Sequence, residues 1–188
     1  EGAEFIPLMT SEDEEEMEKE ETPESLPILP LRNTVLFPGV VIPITVGRDK
    51  SISLIQDANK GDKIIGVISQ TDDTVEEPNK EQLFEVGTVA RILKIFKMPD
   101  GNTTAIIQGK KRFKLNEITA HEPYIRATVE KYDVSKVPKD AKFNALVDSI
   151  KDMALRIIEQ SPNIPSEASF AIKNIESNSF LINFIASN

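Results

Sequence analysis

The sequence predicts an α+β fold: a small, mostly antiparallel β-barrel followed by an α-helical subdomain, with an acidic N-terminal leader ahead of both. Three observations predict it. Short β-branched and aromatic segments, separated by turns rich in proline and glycine, fill the chain from Leu26 to about Val134. After Pro138 the apolar residues recur at every third or fourth position. Charge is concentrated at one end: residues 1–25 hold eleven acids against Lys19, while the other 163 residues hold twenty acids and twenty-one bases. The net charge of −9 is therefore −10 on the leader and +1 on the rest. These breaks divide the chain into 1–25, 26–136 and 137–188.

In the leader, Ser11 and Glu14 have the spacing of a capping box. From Glu12 to Glu21, however, Met17 is the lone apolar residue, so a helix there has no face to bury and the segment reads as a flexible, solvated spacer. Upstream, Phe5 and Ile6 belong to a short apolar patch expected to dock on a neighbouring molecule. The chain opens on Glu1 rather than methionine, which is expected of an excised or processed piece.

Ile28-Leu29-Pro30-Leu31 reads as an extended segment, and its proline points to a sheet edge. Phe37-Pro38-Gly39-Val40 has type II turn chemistry and leads into the β-branched run Val40–Val46. Between Gly47 and Gly61, Ile52, Leu54, Ile55 and Ala58 share a helical face that Gly61 can close. Lys63–Ser69 reads as a buried strand and Asp72–Glu81 as a polar loop. Val86–Phe96 and Thr103–Leu115 flank the turn cluster Pro99-Asp100-Gly101-Asn102, which makes a hairpin with Phe113 and Leu115 on its inner face. Tyr124–Tyr132 supplies one more strand.

Phe143, Leu146, Val147, Ile150, Met153, Ala154, Ile157 and Ile158 then form one stripe on a helix from Lys139 to Gln160, about 33 Å long. Full burial of that stripe would contribute on the order of 10 kcal/mol. Ser166 can cap a second helix, and a third begins near Ser179 with Phe180, Leu181 and Phe184. The apolar ending is expected of truncation within a larger helical subdomain, and these last three side chains are candidates for interdomain or self-association contacts.

Composition does not rule out catalysis, but it removes the usual tools. The chain has no cysteine and one histidine, His121, so thiolate sites, disulfides and multi-histidine metal centres cannot form, and no metal ligands are assigned. Its glycines spell no phosphate-binding loop. No apolar run exceeds three residues, so neither a membrane span nor a signal-peptide core is present. Asp72, Asp73, Glu76 and Glu77 lack the alternation and turn glycine of a calcium loop. The basic stretch Gly109–Lys114 reads as a charged sheet surface. Nucleic acid is not an expected partner, because binding it needs clustered cations on one face.

Leu26-Pro27-Ile28-Leu29-Pro30-Leu31-Arg32-Asn33-Thr34-Val35-Leu36-Phe37-Pro38-Gly39 resembles the opening motif of the Lon protease amino-terminal domain. Val41–Ile44 with Gly47-Arg48, Glu85–Ile92 and Gly109–Phe113 fit the same family, as does a long helix after a strand ending near Asp133. The resemblance runs from Leu26 to the end and leaves the acidic leader out. It implies a PUA-like β-domain followed by helices, serving as the substrate-recognition and delivery part of an ATP-dependent serine protease. Such proteases are cytoplasmic homohexamers that degrade misfolded and short-lived regulatory proteins. Their ATPase module, using ATP and Mg, and their serine-lysine dyad match nothing here, so no catalytic residue is carried over and no cofactor is expected. The implied partners are unfolded or damaged proteins and the other subunits of the ring.

A receptor for unfolded chains needs exposed apolar side chains or a free sheet edge. The candidates are Ile28 and Leu31 on the proline-marked edge and Phe96 and Met98 at the hairpin tip. Two other readings stay open at this point: an RNA-binding module using Lys110, Lys111 and Arg112, and a stand-alone adaptor of the same fold.

Overall fold

A computed structural model describes residues 9–99, 101–132, 140–164 and 167–187. The chain forms two compact units, Lys19–Asp133 and a helical one that joins Glu1–Glu18 to Val134–Asn188.

The first unit carries six strands: β1 (Ser25–Leu31), β2 (Val41–Val46), β3 (Ile64–Ser69), β4 (Val86–Lys97), β5 (Thr103–Ala120) and β6 (Arg126–Lys131). The sheet order is β2-β5-β4-β3-β1-β6, and β6 also pairs with β5, so the ladder returns on itself. The long β5 makes this possible: Thr103–Gln108 pairs with β2, and Phe113–Ala120 pairs with β6. All pairings are antiparallel except β1 with β3, which is parallel, so the sheet is mixed.

The turn at Phe37–Val40 forms as its residues dictate. Gly39 sits at φ 81°, and the Val40 N–H donates to the Phe37 carbonyl at 3.2 Å. That turn lies against β5 so closely that a Cβ on Gly109 would stand 2.3 Å from the Phe37 oxygen. The buried Thr88 hydroxyl completes the seal by donating to the Leu36 carbonyl at 2.7 Å.

Among the described residues the sheet contributes to two hydrophobic cores. One joins Leu29, Ile65, Ala90 and Ile107 of the sheet to Leu54, Ile55 and Ala58 of α2 (Asp49–Lys60), whose end Gly61 closes with bonds to the Asp57 and Ala58 carbonyls. The other gathers Leu26, Ile28, Val89, Phe113 and Leu115, with the Phe113 ring fully buried.

The helical unit departs from expectation twice. The leader is not a bare spacer, because Ser11–Lys19 forms helix α1. Its cap is reciprocal: the Thr10 N–H donates to the Asp13 carboxylate at 2.9 Å, and the Asp13 N–H to the Thr10 hydroxyl at 3.2 Å. Met17 is buried, and so is Met9 just ahead of the cap; those two side chains supply the apolar contact that a count within Glu12–Glu21 misses. Ser177 also donates its hydroxyl to the Glu14 carboxylate. Phe5 and Ile6 lie outside the described residues.

The second departure is in α3 (Ala141–Gln160), which Asp140 caps by accepting the Phe143 N–H at 2.7 Å. Of its eight-residue stripe only Val147 and Ala154 are buried; Leu146, Met153 and Ile157 stand more than half exposed. The short α4 (Glu167–Asn174) and α5 (Asn178–Ala186) cover a narrow strip of so long a helix, and Phe170 of α4 is itself exposed. The expected Ser166 cap, residue Lys139 and Asp100 of the hairpin turn lie outside the described residues.

Candidate functional site

The β4–β5 hairpin carries the exposed apolar side chains that the sequence placed there. Phe96 is 41% and Met98 45% exposed, two residues apart and so on one face. The turn is closed by the Gly101 N–H to the Met98 carbonyl at 3.1 Å and the Met98 N–H to the Asn102 carbonyl at 2.9 Å. The Lys94 ammonium lies 4.8 Å from the centre of the Phe96 ring, a cation–π contact that props the ring outward. A register shift between Ile92 and Lys94 leaves Leu93 unpaired and exposed. The sequence reading missed Leu93; the slip from alternation at Ile92-Leu93 was its signal.

The other predicted contacts are corrected. Ile28 and Leu31 are buried core side chains, one in each hydrophobic core, although Ile28–Leu31 is laddered only to β3 and the pairing with β6 ends at Pro27. The proline marks only the short flank where β6 has already diverged, beyond the bond from the Ile28 N–H to the Ile125 carbonyl. Phe180, Leu181 and Phe184 are likewise buried rather than exposed on the surface of the chain. The two rings pack with centroids 6.2 Å apart, and Ser177 caps their helix by accepting the Phe180 N–H at 3.1 Å.

Two clefts open beside that short flank of β1. The first, about 490 Å³, is bordered by His121, Tyr124, Lys50 and Glu77; the second, about 420 Å³, lies between the end of β1 and β2 and holds Arg32 and Arg48. The polar loop after β3 is strapped to their rim. Arg48 donates to the Glu76 carbonyl at 2.6 Å and to Gln70 Oε1 at 3.1 Å, Arg32 to the Val75 carbonyl at 2.9 Å, and Asn33 to the Asp73 carboxylate at 2.6 Å.

Lys50 bridges Glu122 at 2.7 Å and Glu77 at 3.0 Å, and those two carboxylates, Glu122 first, raise its pKa. Desolvation, with the nearby charge of Arg32, lowers that of Arg48 against a smaller upward pull from Glu76. The Thr74 hydroxyl and then its N–H hold Asp72 below the usual carboxylate range. His121 is exposed on this rim, in a loop rather than in a catalytic pairing.

Two cations of the basic stretch stand beside acids. Lys110, mostly buried, pairs with Glu20 at 3.3 Å, and Lys114 reaches Glu130 at 3.9 Å. Such pairing lowers the cation density offered to phosphates. No helix among the described residues is long and apolar enough to cross a membrane.

The profile of the ATP-dependent protease La (LON) substrate-binding domain matches residues 25–188. The chain belongs to the Lon substrate-binding domain family. It is 62% identical over 187 residues to the Lon protease of Flavobacterium johnsoniae and 51% identical over 189 residues to that of Cytophaga hutchinsonii, covering 99% and 100% of this chain. It spans about a quarter of the length of these relatives, 23% in each case. The Lon fold is also evident in solved structures. The N-terminal domain of the Mycobacterium avium complex Lon protease superposes with a TM-score of 0.68 at 20% identity, over 85% of this chain and 80% of that one. The Lon N-terminal domain protein from Xanthomonas campestris gives 0.55 at 18% identity, over 86% and 96%. The Lon match lies within the substrate-binding domain, the part of these proteases named for binding rather than for bond cleavage.

Proposed function

We propose that this chain captures unfolded, damaged or short-lived regulatory proteins and delivers them to the ATPase and serine-protease modules of a Lon-type enzyme. The observation that carries the reading is the substrate-binding-domain match over residues 25–188. The exposed side chains of Leu93, Phe96 and Met98 support it physically, since unfolded chains display apolar segments that such side chains can meet. Weak capture at a few such points is enough, because tethering to a motor raises the effective concentration of substrate. In the parent enzyme the partners are sister subunits of a homohexamer, the motor uses ATP with Mg, and the compartment is the cytoplasm.

The test is fluorescence anisotropy of a labelled, reduced and carboxymethylated lactalbumin titrated with the chain. Saturable binding that weakens in Phe96→Ser and Met98→Ser is expected. Absence of binding overturns the reading, and unchanged affinity in both variants removes the hairpin from it.

A further inference from the structure

The cleft between β1 and β2 has a chemistry that the apolar hairpin lacks. Arg32 and Arg48 are the charged residues on its walls, and no acid lines it, in contrast to the neighbouring cleft with Asp49, Glu76 and Glu77. Among the described residues neither guanidinium meets a carboxylate within ion-pair distance. Their partners are neutral oxygens of Val75, Glu76 and Gln70. A guanidinium has five N–H donors, so both keep donors to spare. The two cations also repel each other, which contributes to the lowered pKa of Arg48. An anion between them would relieve that repulsion and fill the planar forks suited to carboxylates.

The walls add backbone recognition. β2 pairs only with β5, so its other flank is free among the described residues, and β1 beyond Ile28 is free on the flank away from β3. Pro43 and Pro30 sit on these two strands, and a proline has no N–H for a ladder. Continuous pairing across the groove is thereby discouraged and the groove stays open. Exposed backbone groups along a groove suit an extended peptide.

We propose that this groove binds an extended segment of a protein substrate through an acidic side chain seated between the Arg32 and Arg48 guanidinium groups. The proposal rests on the reading that the chain binds protein substrates, and it gives that binding a charge preference.

The probe is an N-acetylated, C-amidated peptide of about ten residues, alternating valine and threonine around one central glutamate. Its twin carries glutamine instead. Titrated with the 188-residue chain, the glutamate peptide should bind on the order of tenfold more tightly, and that preference should fade with added salt. Arg32→Gln, an exposed site, should reduce the preference, and Arg32→Gln with Arg48→Gln should abolish it. Because the peptide pair is compared on the unaltered chain, a misfolded double variant does not protect the proposal. Equal affinity for the two peptides overturns it. If the peptides bind equally while carboxymethylated lactalbumin still binds, the groove assignment fails and the broader reading stands. If lactalbumin and both peptides all fail to bind, both fall.

Discussion

The β-unit and the helical unit handle apolar surface in opposite ways. In the β-unit the closed ladder buries side chains on both of its faces: Phe113 is fully enclosed, and α2 seals the second core with Leu54 and Ile55. In the helical unit α3 is twenty residues long, while the helices packed beside it have eight and nine, so Leu146, Met153 and Ile157 keep more than half their surface. Among the described residues, a ladder that returns on itself supplies most of its own walls and leaves only the outer flank of β2 and the end of β1 unpaired. An amphipathic helix is only as buried as its neighbours are long. The difference teaches that equal hydrophobic patterning guarantees burial only where topology supplies both walls.

That contrast can be broken directly. Phe113→Ala should destabilise the β-unit by about 4 kcal/mol, measured by urea unfolding. Met153→Ser, at a side chain 56% exposed, should shift the helical unit by less than about 0.5 kcal/mol. Comparable losses in the two variants would mean that the α3 stripe is covered in solution.

Next in size is the turn beneath β5. Gly109→Ala would set a Cβ 2.3 Å from the Phe37 oxygen, a backbone atom with no rotamer to escape into. A loss of roughly 3 kcal/mol is expected, larger than for Gly61→Ala, where the nearest atoms stand at 3.7 Å. In the helical unit, Ser177→Ala removes the cap of α5 and the partner of Glu14 together. It should cost about 1 kcal/mol and sharpen the comparison, since one polar residue there joins two helices.

Much of the β-unit was legible because its signals are local. The Pro38-Gly39 turn, the Gly61 helix end and the alternation around Phe113 each need only a few consecutive residues, and each occurs where those residues stand. The parallel pairing of β1 with β3 and the role of β5 in holding two partners on one flank depend on contacts far apart in sequence, which no local pattern encodes. The site was legible by half for the same reason. The exposure of Phe96 and Met98 follows from alternation beside a turn, whereas Ile28 and Leu31 stand on a strand with one open flank but send their side chains into the two cores, which a proline signal does not encode. Nothing in a spacing of sixteen residues announces that Arg32 and Arg48 meet at one cleft. The helical leader was misread because its burial depends on Met9, outside the charged run.

The smallest effect concerns the polar loop that straps the clefts. Lys50 has its pKa raised above the ordinary 10.5 by Glu122 and Glu77, so its contribution is complete below 10.5 and is lost as pH rises through the folded value. Asp72 is held below its ordinary 3.8 by Thr74, so its contribution is complete above 3.8 and disappears as pH falls through the lower folded value. Between those limits these two groups give the loop a pH-independent anchorage. Amide chemical shifts report it: the Thr74 N–H should show an acid step, and the Lys50 N–H an alkaline one. Lys50→Met should erase the alkaline step and leave the acid one. An alkaline step that survives in Lys50→Met would show that the strap is held at that edge by another group. Because Lys50 and both carboxylates are solvent-accessible, added salt should weaken the bridge throughout, while the Arg48 bonds to the neutral oxygens of Glu76 and Gln70 should respond far less.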